Sequence, residues 1–185
     1  MDFSGYLGCL IVLKGSHLWR KVSELCVEAQ LPADEGGLGS SVIFIDGGNV
    51  FDPYLIADLS RQYNAPIGQV LQGVKVARAF TCHQLVSLIC EKLPIALKFY
   101  NSRLAVVSDI FSLFNEVEAE EARGMFNHVT WFLSELAKKE NVMVITACMR
   151  PASDLTLESY LTSRADITLD IAEGTPQVTL ESYVR

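Results

Sequence analysis

Carboxylates gather where two apolar runs of this sequence stop. Residues 42–45 end in Asp46-Gly47-Gly48-Asn49, with Asp52 close behind, and residues 104–107 end in Ser108-Asp109. At the ends of strands, Asp46, Asn49, Asp52 and Asp109 would form an acidic cluster of the kind that holds metal ions for phosphodiester chemistry. A second candidate follows the apolar run 7–13. There Lys14-Gly15-Ser16-His17-Leu18-Trp19 lies between a strand pattern and a helix pattern, where phosphate-binding loops sit. His83-Gln84, preceded by Cys82, has the side-chain types of an acid–base site. The remaining histidines, His17 and His128, lie far from any cysteine pair, and Cys82-His83 adjacency alone makes no chelate. Cys9, Cys26, Cys82, Cys90 and Cys148 contain no CxxC and sit in apolar runs, the pattern of buried free thiols in a reducing compartment.

The composition narrows the classes. Of 185 residues, 50% are apolar and 20% charged, enough apolar surface to offset ordering entropy, which excludes a disordered chain. Residues 1–185 read as one domain. The formal charge of -7 argues against a broad basic face for nucleic acid, though not against a local basic loop. No apolar run is long enough to span a bilayer, and residues 1–14 lack a basic start and a small-residue cleavage site, so no membrane partner is expected.

The elements that must carry these residues follow from hydrophobic period. Continuous apolar runs at 7–13, 42–45, 104–107 and 142–146 read as strands buried on both faces, and 74–79 as a further strand. Helical spacing covers 18–31, with Leu18, Val22, Leu25, Cys26 and Ala29 on one face. Asp52-Pro53 starts a helix to about Tyr63, Thr81 caps one through Leu93 that Pro94 kinks or restarts, and 119–140 is a long amphipathic helix. Its Val129, Trp131, Phe132, Leu133 and Leu136 are assigned to the face on the sheet. Residues 167–171 and 177–183 read as a hairpin turning at Glu173-Gly174-Thr175-Pro176. Alternating strands and helices predict an α/β fold: a mainly parallel sheet flanked by helices, with a C-terminal antiparallel hairpin.

Several blocks, in order, carry a resemblance: Ala29-Gln30-Leu31-Pro32, a Gly-rich loop, Phe44-Ile45-Asp46, Phe51-Asp52-Pro53, and Ala77-Arg78-Ala79-Phe80-Thr81-Cys82-His83-Gln84-Leu85. Residues 107–114 and Val144-Ile145-Thr146 follow. This set resembles the RecA/RadA recombinase family, in its eukaryotic and archaeal branch and its paralogs. The Arg-Ala-Phe-x-x-His-Gln block is the specific part. The resemblance covers nearly the whole chain and implies a RecA-like core of the P-loop NTPase type, without the family's N-terminal helical domain. It assigns His83-Gln84 to packing beneath the sheet end and to coupling between subunits.

The departures from the family's pattern fall on one site. Its phosphate loop, G-x-x-x-x-G-K-[ST], corresponds to Val12 through Trp19. Leu18 stands at the lysine, Trp19 at the hydroxyl, and Val12 and His17 at the glycines. Neither Leu18 nor Trp19 supplies a charge or a magnesium ligand, and the indole is expected to fill volume a phosphate would need. Lys14 and Lys21 lie nearby at other positions. The family's catalytic glutamate corresponds to Gly48, the carboxylate of its Walker B strand to Ser108 with Asp109 one step beyond, and its polar phosphate sensor to Ala147-Cys148. A one-residue offset on a strand points a side chain the other way. With four parts replaced, Lys14, Gly15, Ser16, His17, Leu18, Trp19, Gly48, Ser108 and Asp109 read as a vestigial nucleotide site. No catalytic residue, cofactor or metal is expected, and the chain reads as a pseudo-ATPase.

The resemblance also locates two loops that line DNA in the family. The first corresponds to residues 115–124, where Glu116, Glu118, Glu120 and Glu121 would repel phosphate and suit the start of a helix. The second corresponds to 149–163, a loop containing Arg150, with Arg164 just beyond. These two arginines are the candidates for a weak DNA contact. The expected role is an ATP-independent recombinase paralog, a scaffold or mediator of filament assembly in homologous recombination and repair. Its expected partner is another RecA-fold paralog or the recombinase, in the nucleus of a eukaryote or the cytoplasm of an archaeon. The alternatives are a metal-dependent nuclease using Asp46 and Asp109, or a RecA-fold regulatory module outside recombination.

Overall fold

A computed structural model describes residues 3–15 and 17–171. The strands are β1 (Leu10–Lys14), β2 (Val42–Asp46), β3 (Val74–Arg78), β4 (Leu104–Ser108), β5 (Met143–Cys148) and β6 (Ile167–Asp170). They form one sheet in the order β3-β2-β4-β5-β1-β6, and every neighbouring pair is parallel. The four central strands are buried along almost their whole length, as continuous apolar runs require when both faces are covered. Alternate residues divide between two cores. Leu10, Val12, Ile43 and Ile45 point to one face, and Ile11, Leu13, Val42 and Phe44 to the other.

Helices α1 (Leu18–Glu28), α2 (Pro53–Gln62) and α3 (Ile67–Gly73) cover the second face. The first is covered by α4 (Cys82–Ser87), α5 (Leu93–Phe99), α6 (Ala119–Glu140) and α7 (Leu155–Arg164). Asp52 caps α2, its Oδ1 accepting from Tyr54 N at 2.8 Å and Leu55 N at 3.3 Å, with Pro53 at the first turn. Thr81 Oγ1 accepts from Gln84 N at 3.2 Å at the start of α4. A π-helical turn, Leu88–Lys92, precedes the Pro94 turn and joins α4 to α5, so the helix expected through Leu93 restarts there. In α6, Glu120 and Glu121 stand in the first turn and Lys138 and Lys139 in the last, matching the helix dipole.

Four expectations change. The first strand starts at Leu10, because Leu7 and Gly8 form a turn. Trp131 is 52% exposed, whereas Val129, Leu133 and Leu136 are buried. Two residues turn a helix by about 200°, so a residue two past Val129 faces away from the sheet. Residues 149–163 are not one loop, since α7 occupies Leu155–Arg164. Asp154 caps α7 by accepting from Thr156 N at 2.8 Å, and Leu157 and Leu161, four apart, bury it. Helix α3 was not expected; of its seven residues, Ile67–Gly73, Val70 alone is buried. The terminal strand β6 pairs parallel with β1; the arm 177–183 and its turn lie outside the described residues. All five cysteines are free, with Cys26, Cys82 and Cys148 buried.

Candidate functional site

The phosphate-loop position is the connection from β1 to α1. Strand β1 runs to Lys14 and α1 begins at Leu18, which leaves three residues, and Ser16 among them lies outside the described set. Val12, Leu13 and Lys14 stay in the sheet, paired with Thr146, Ala147 and Cys148. Backbone paired to a neighbouring strand has no N–H groups to wrap around an anion. Gly15 has φ +149°, and a β-carbon there would lie 2.5 Å from the Ile171 carbonyl oxygen, so the chain passes too close for any side chain. Leu18 is fully buried in the core under α1. Trp19 departs from expectation: it is 43% exposed and does not line the strand-end cleft. Lys14 Nζ instead meets Glu158 Oε1 of α7 at 2.5 Å, and this hydrogen bond holds the ammonium above its ordinary pKa.

At the end of β2, Asp46 is fully buried and heavily hydrogen-bonded. Oδ1 accepts from Val50 N at 2.9 Å and Ser108 Oγ at 3.0 Å. Oδ2 accepts from Phe51 N at 3.2 Å, Arg78 Nη2 at 3.1 Å and Arg78 Nε at 3.3 Å. Arg78, from the specific Arg-Ala-Phe block, thus ties β3 to β2, and Ser108 ties β4 to β2. A carboxylate with five donors is a structural knot. As a metal ligand it would first have to lose them. Among the described residues, no group of three or more His, Cys, Asp and Glu is placed to hold a metal ion, so the acidic cluster read from the sequence does not assemble.

Asp109 is the opposite case. It lies one residue past β4 with φ +50°, a left-handed conformation that turns it off the strand. It is 1% exposed; neither carboxylate oxygen has a donor in good hydrogen-bond geometry, though the Arg150 and Met149 N–H groups and the Ser112 hydroxyl stand close enough to pull on its proton. Arg150 Nε stands 3.4 Å from Oδ2. Burial pushes the carboxyl above its ordinary pKa even against the pull of Arg150. The carboxylate rests on Gly48: a β-carbon there would lie 2.6 Å from Asp109 Cβ and 2.8 Å from Oδ2. Gly48 and Asp109 are therefore one packing unit.

The segments after β4 and β5 are joined by side chains. Arg150 Nη1 donates to Ser112 Oγ at 2.9 Å. Asn115 Nδ2 donates to the Pro151 carbonyl at 3.2 Å, and Ser153 N donates to Asn115 Oδ1 at 2.8 Å. Arg123 Nε meets Asp154 Oδ2 at 2.5 Å. Below them a cleft of about 300 Å³ opens between Lys14, Gly15, Phe111, Cys148, Arg150 and Glu158. Burial raises the Cys148 thiol to about 12, so it stays neutral. Arg164 is placed elsewhere: it ends α7 and donates to Thr130 Oγ1 at 2.9 Å and Asn127 Oδ1 at 2.5 Å, fastening α7 to α6. His83 and Gln84 are exposed rather than packed beneath the sheet. His83 Nε2 lies 3.5 Å from Glu121 Oε1, and Gln84 Oε1 accepts from Phe80 N at 2.9 Å.

An all-parallel six-stranded sheet in this order, covered by helices on both faces, with its polar residues at the carboxyl ends of the strands, defines an α/β core of the RecA-like type. Residues 20–153 match the family model Rad51, and the chain belongs to the Rad51 family. Two similar relatives are the mouse (Mus musculus) and human (Homo sapiens) proteins named "Meiotic recombination protein DMC1/LIM15 homolog". Each is 35% identical over 94 residues, covering 49% of this chain and 27% of the relative. Another is "DNA repair and recombination protein RadA" of Cenarchaeum symbiosum (strain A), 33% identical over 91 residues, 49% of this chain and 22% of that protein. The matched segments thus span about a quarter of these relatives' length. The β1–α1 connection precedes the residues that the family model matches.

Proposed function

We propose that this chain is a Rad51-family member that does not hydrolyse ATP and acts in homologous recombination as a scaffold or mediator, pairing with a RecA-fold subunit to load or steady a recombinase filament. The observation that carries this reading is the β1–α1 connection. Three residues separate the strand from the helix, and Leu18 is buried where the resemblance puts a lysine. A triphosphate there would meet a connection of three residues and, at the lysine's position, an apolar side chain; Arg20 and Lys21 stand at other positions of α1. Gly48 supports the same reading, because Asp109 leaves no room for a side chain where the resemblance puts the family's glutamate.

Surface character supports a protein partner. Strand β3 is a sheet edge, and Tyr54, Val76, Phe80, Ile95 and Phe99 are exposed. Glu116, Glu118, Glu120 and Glu121, around the start of α6, disfavour a phosphate backbone at that end.

The test is purification of the chain alone and co-expressed with RecA-fold candidates, with ATP titration calorimetry on each. A stable complex without ATP binding by this chain is expected. A tight ATP isotherm, or turnover abolished by substituting Asp109, would overturn the reading.

A further inference from the structure

We propose that the cavity at the amino-terminal end of the sheet binds an organic cation rich in N–H donors, an alkylammonium or guanidinium group. The cavity lies at the opposite end of the sheet from Gly48 and Asp109, and the inference does not depend on the scaffold role.

The cavity measures about 490 Å³, within the range of small-ligand sites. Its walls come from residues 30–41 after α1, residues 63–66 after α2, and one side of α3. Ser41 and Gly73 line it and stand just before β2 and β3, which fixes its place at the start of these strands.

The hydroxyl protons of these walls are given to the protein. Tyr63 Oη donates to Glu28 Oε1 at 2.5 Å, Ser41 Oγ to the Tyr100 carbonyl at 2.9 Å, and Ser40 Oγ to the Ser41 carbonyl at 3.2 Å. Burial and the bond to Glu28 hold the Tyr63 hydroxyl above its ordinary pKa, so it keeps the proton it donates. Ser40 Oγ also accepts from Arg103 N at 3.2 Å, but Tyr63 and Ser41 keep lone pairs for a ligand. Gln30 is oriented in the same sense. Its Nε2 donates to the Cys26 carbonyl at 2.9 Å, which leaves Oε1 beside Gly73 on the cavity wall. The oriented side chains therefore offer acceptors, while the amides of Asn64 and Gln69 at the exposed rim serve either way.

The charges have the matching sign. Glu35 is the one charged side chain among the described lining residues. Helices α1 and α2 both end at the cavity, and the carboxyl end of a helix favours a cation. Helix α3 lies along the wall through Gln69, Val70 and Gly73, so both of its ends are near and its dipole does not tip the balance. A negative site made of acceptors selects a ligand that is positive and made of donors. An ammonium or guanidinium group has both properties and no acceptor.

That chemistry has two sources, a free polyamine or the basic side chain of a partner protein. The full chain would be titrated with spermidine, with N-acetyl-argininamide, and with tetramethylammonium, a cation that has no N–H. Amide shifts in 15N-labelled protein locate binding, and calorimetry measures it. Saturable shifts at Leu31, Gly39, Asn64 and Gly73 are expected with the first two probes and not with the third. Glu35→Gln is expected to weaken binding about threefold, whereas Glu120→Gln, the same charge change on α6, leaves it unaltered. Gln69→Lys, which sets an ammonium of the chain's own at the rim, is expected to abolish it. Stronger binding of spermidine upholds the site with a free polyamine as ligand, and stronger binding of the arginine derivative upholds it with a partner's side chain. Absence of saturable binding, shifts spread over the acidic surface, equal weakening by Glu120→Gln, or equal binding of tetramethylammonium overturns the proposal and leaves the scaffold reading untouched. Glu35 and Gln69 are both exposed, so these variants keep the fold, and thermal melts check that they do.

Discussion

Gly48 and Asp109 share one volume: a β-carbon on Gly48 would come 2.6 Å from the β-carbon of Asp109. Asp109, from the turn after β4, therefore fills the space beside Gly48, and at Gly48 the turn after β2 has no room for a side chain. Gly48→Ala is expected to destabilise the fold by about 1–3 kcal/mol through overpacking. In an Asp109→Gly background, which suits the φ of +50° and removes the clashing carbon, the penalty should disappear. Urea denaturation of the four forms measures the coupling, and additive effects would refute the shared volume.

Removing Arg150 should expose the cost of burying Asp109. Arg150→Ala is expected to destabilise by about 1–3 kcal/mol at pH 7. Burial already raises the Asp109 pKa, and without the arginine it rises further, so the folded state holds a proton that the unfolded state has released. Stability of the variant then falls as pH rises above about 4, and its deficit shrinks as pH is lowered towards that value. Stability curves at several pH values check this, and a pH-independent deficit would contradict it.

Asp154 titrates in the opposite sense. Hydrogen bonds from Thr156 and from Arg123 lower its pKa to about 2, so the stability it adds is complete above about 4 and lost as pH falls from there through 2. Asp154→Asn, which retains an acceptor for Thr156, should flatten that part of the acid unfolding profile. An unchanged acid limb in circular dichroism would count against the pairing.

Restoring the family's residues should not restore nucleotide binding. Leu18→Lys with Trp19→Thr places a cation and a hydroxyl on α1, but the connection before them is still three residues long. Burying the lysine is expected to cost about 2–5 kcal/mol. Lower melting with no ATP heat in calorimetry is the expected result.

The strands were legible because each is a local apolar run, and α6 because its period holds over 22 residues. Helix α7 was not, because only Leu157 and Leu161 bury it and its cap Asp154 reads as a loop residue. Trp131 is apolar like its neighbours in sequence, but its angle on α6 turns it away from the sheet. In the sequence Arg78 stands out only within its Arg-Ala-Phe block; the signal for its role is an arginine that ends a strand pattern, next to a strand that ends in an aspartate.

Sequence alone determined the alternation of strands and helices, the family, and that Leu18 and Trp19 open α1 in place of a lysine and a hydroxyl. Those are properties of neighbours along the chain, set by side-chain chemistry and period. Tertiary structure decided what each carboxylate does. Asp46 and Asp109 look alike in sequence. Asp46 is saturated by donors, including Ser108, 62 residues away, while Asp109 is buried with one arginine facing it. A carboxylate's behaviour is set by the donors, charges and solvent around it, and here those come from β3, β4 and the segment after β5, which only the folded sheet brings together.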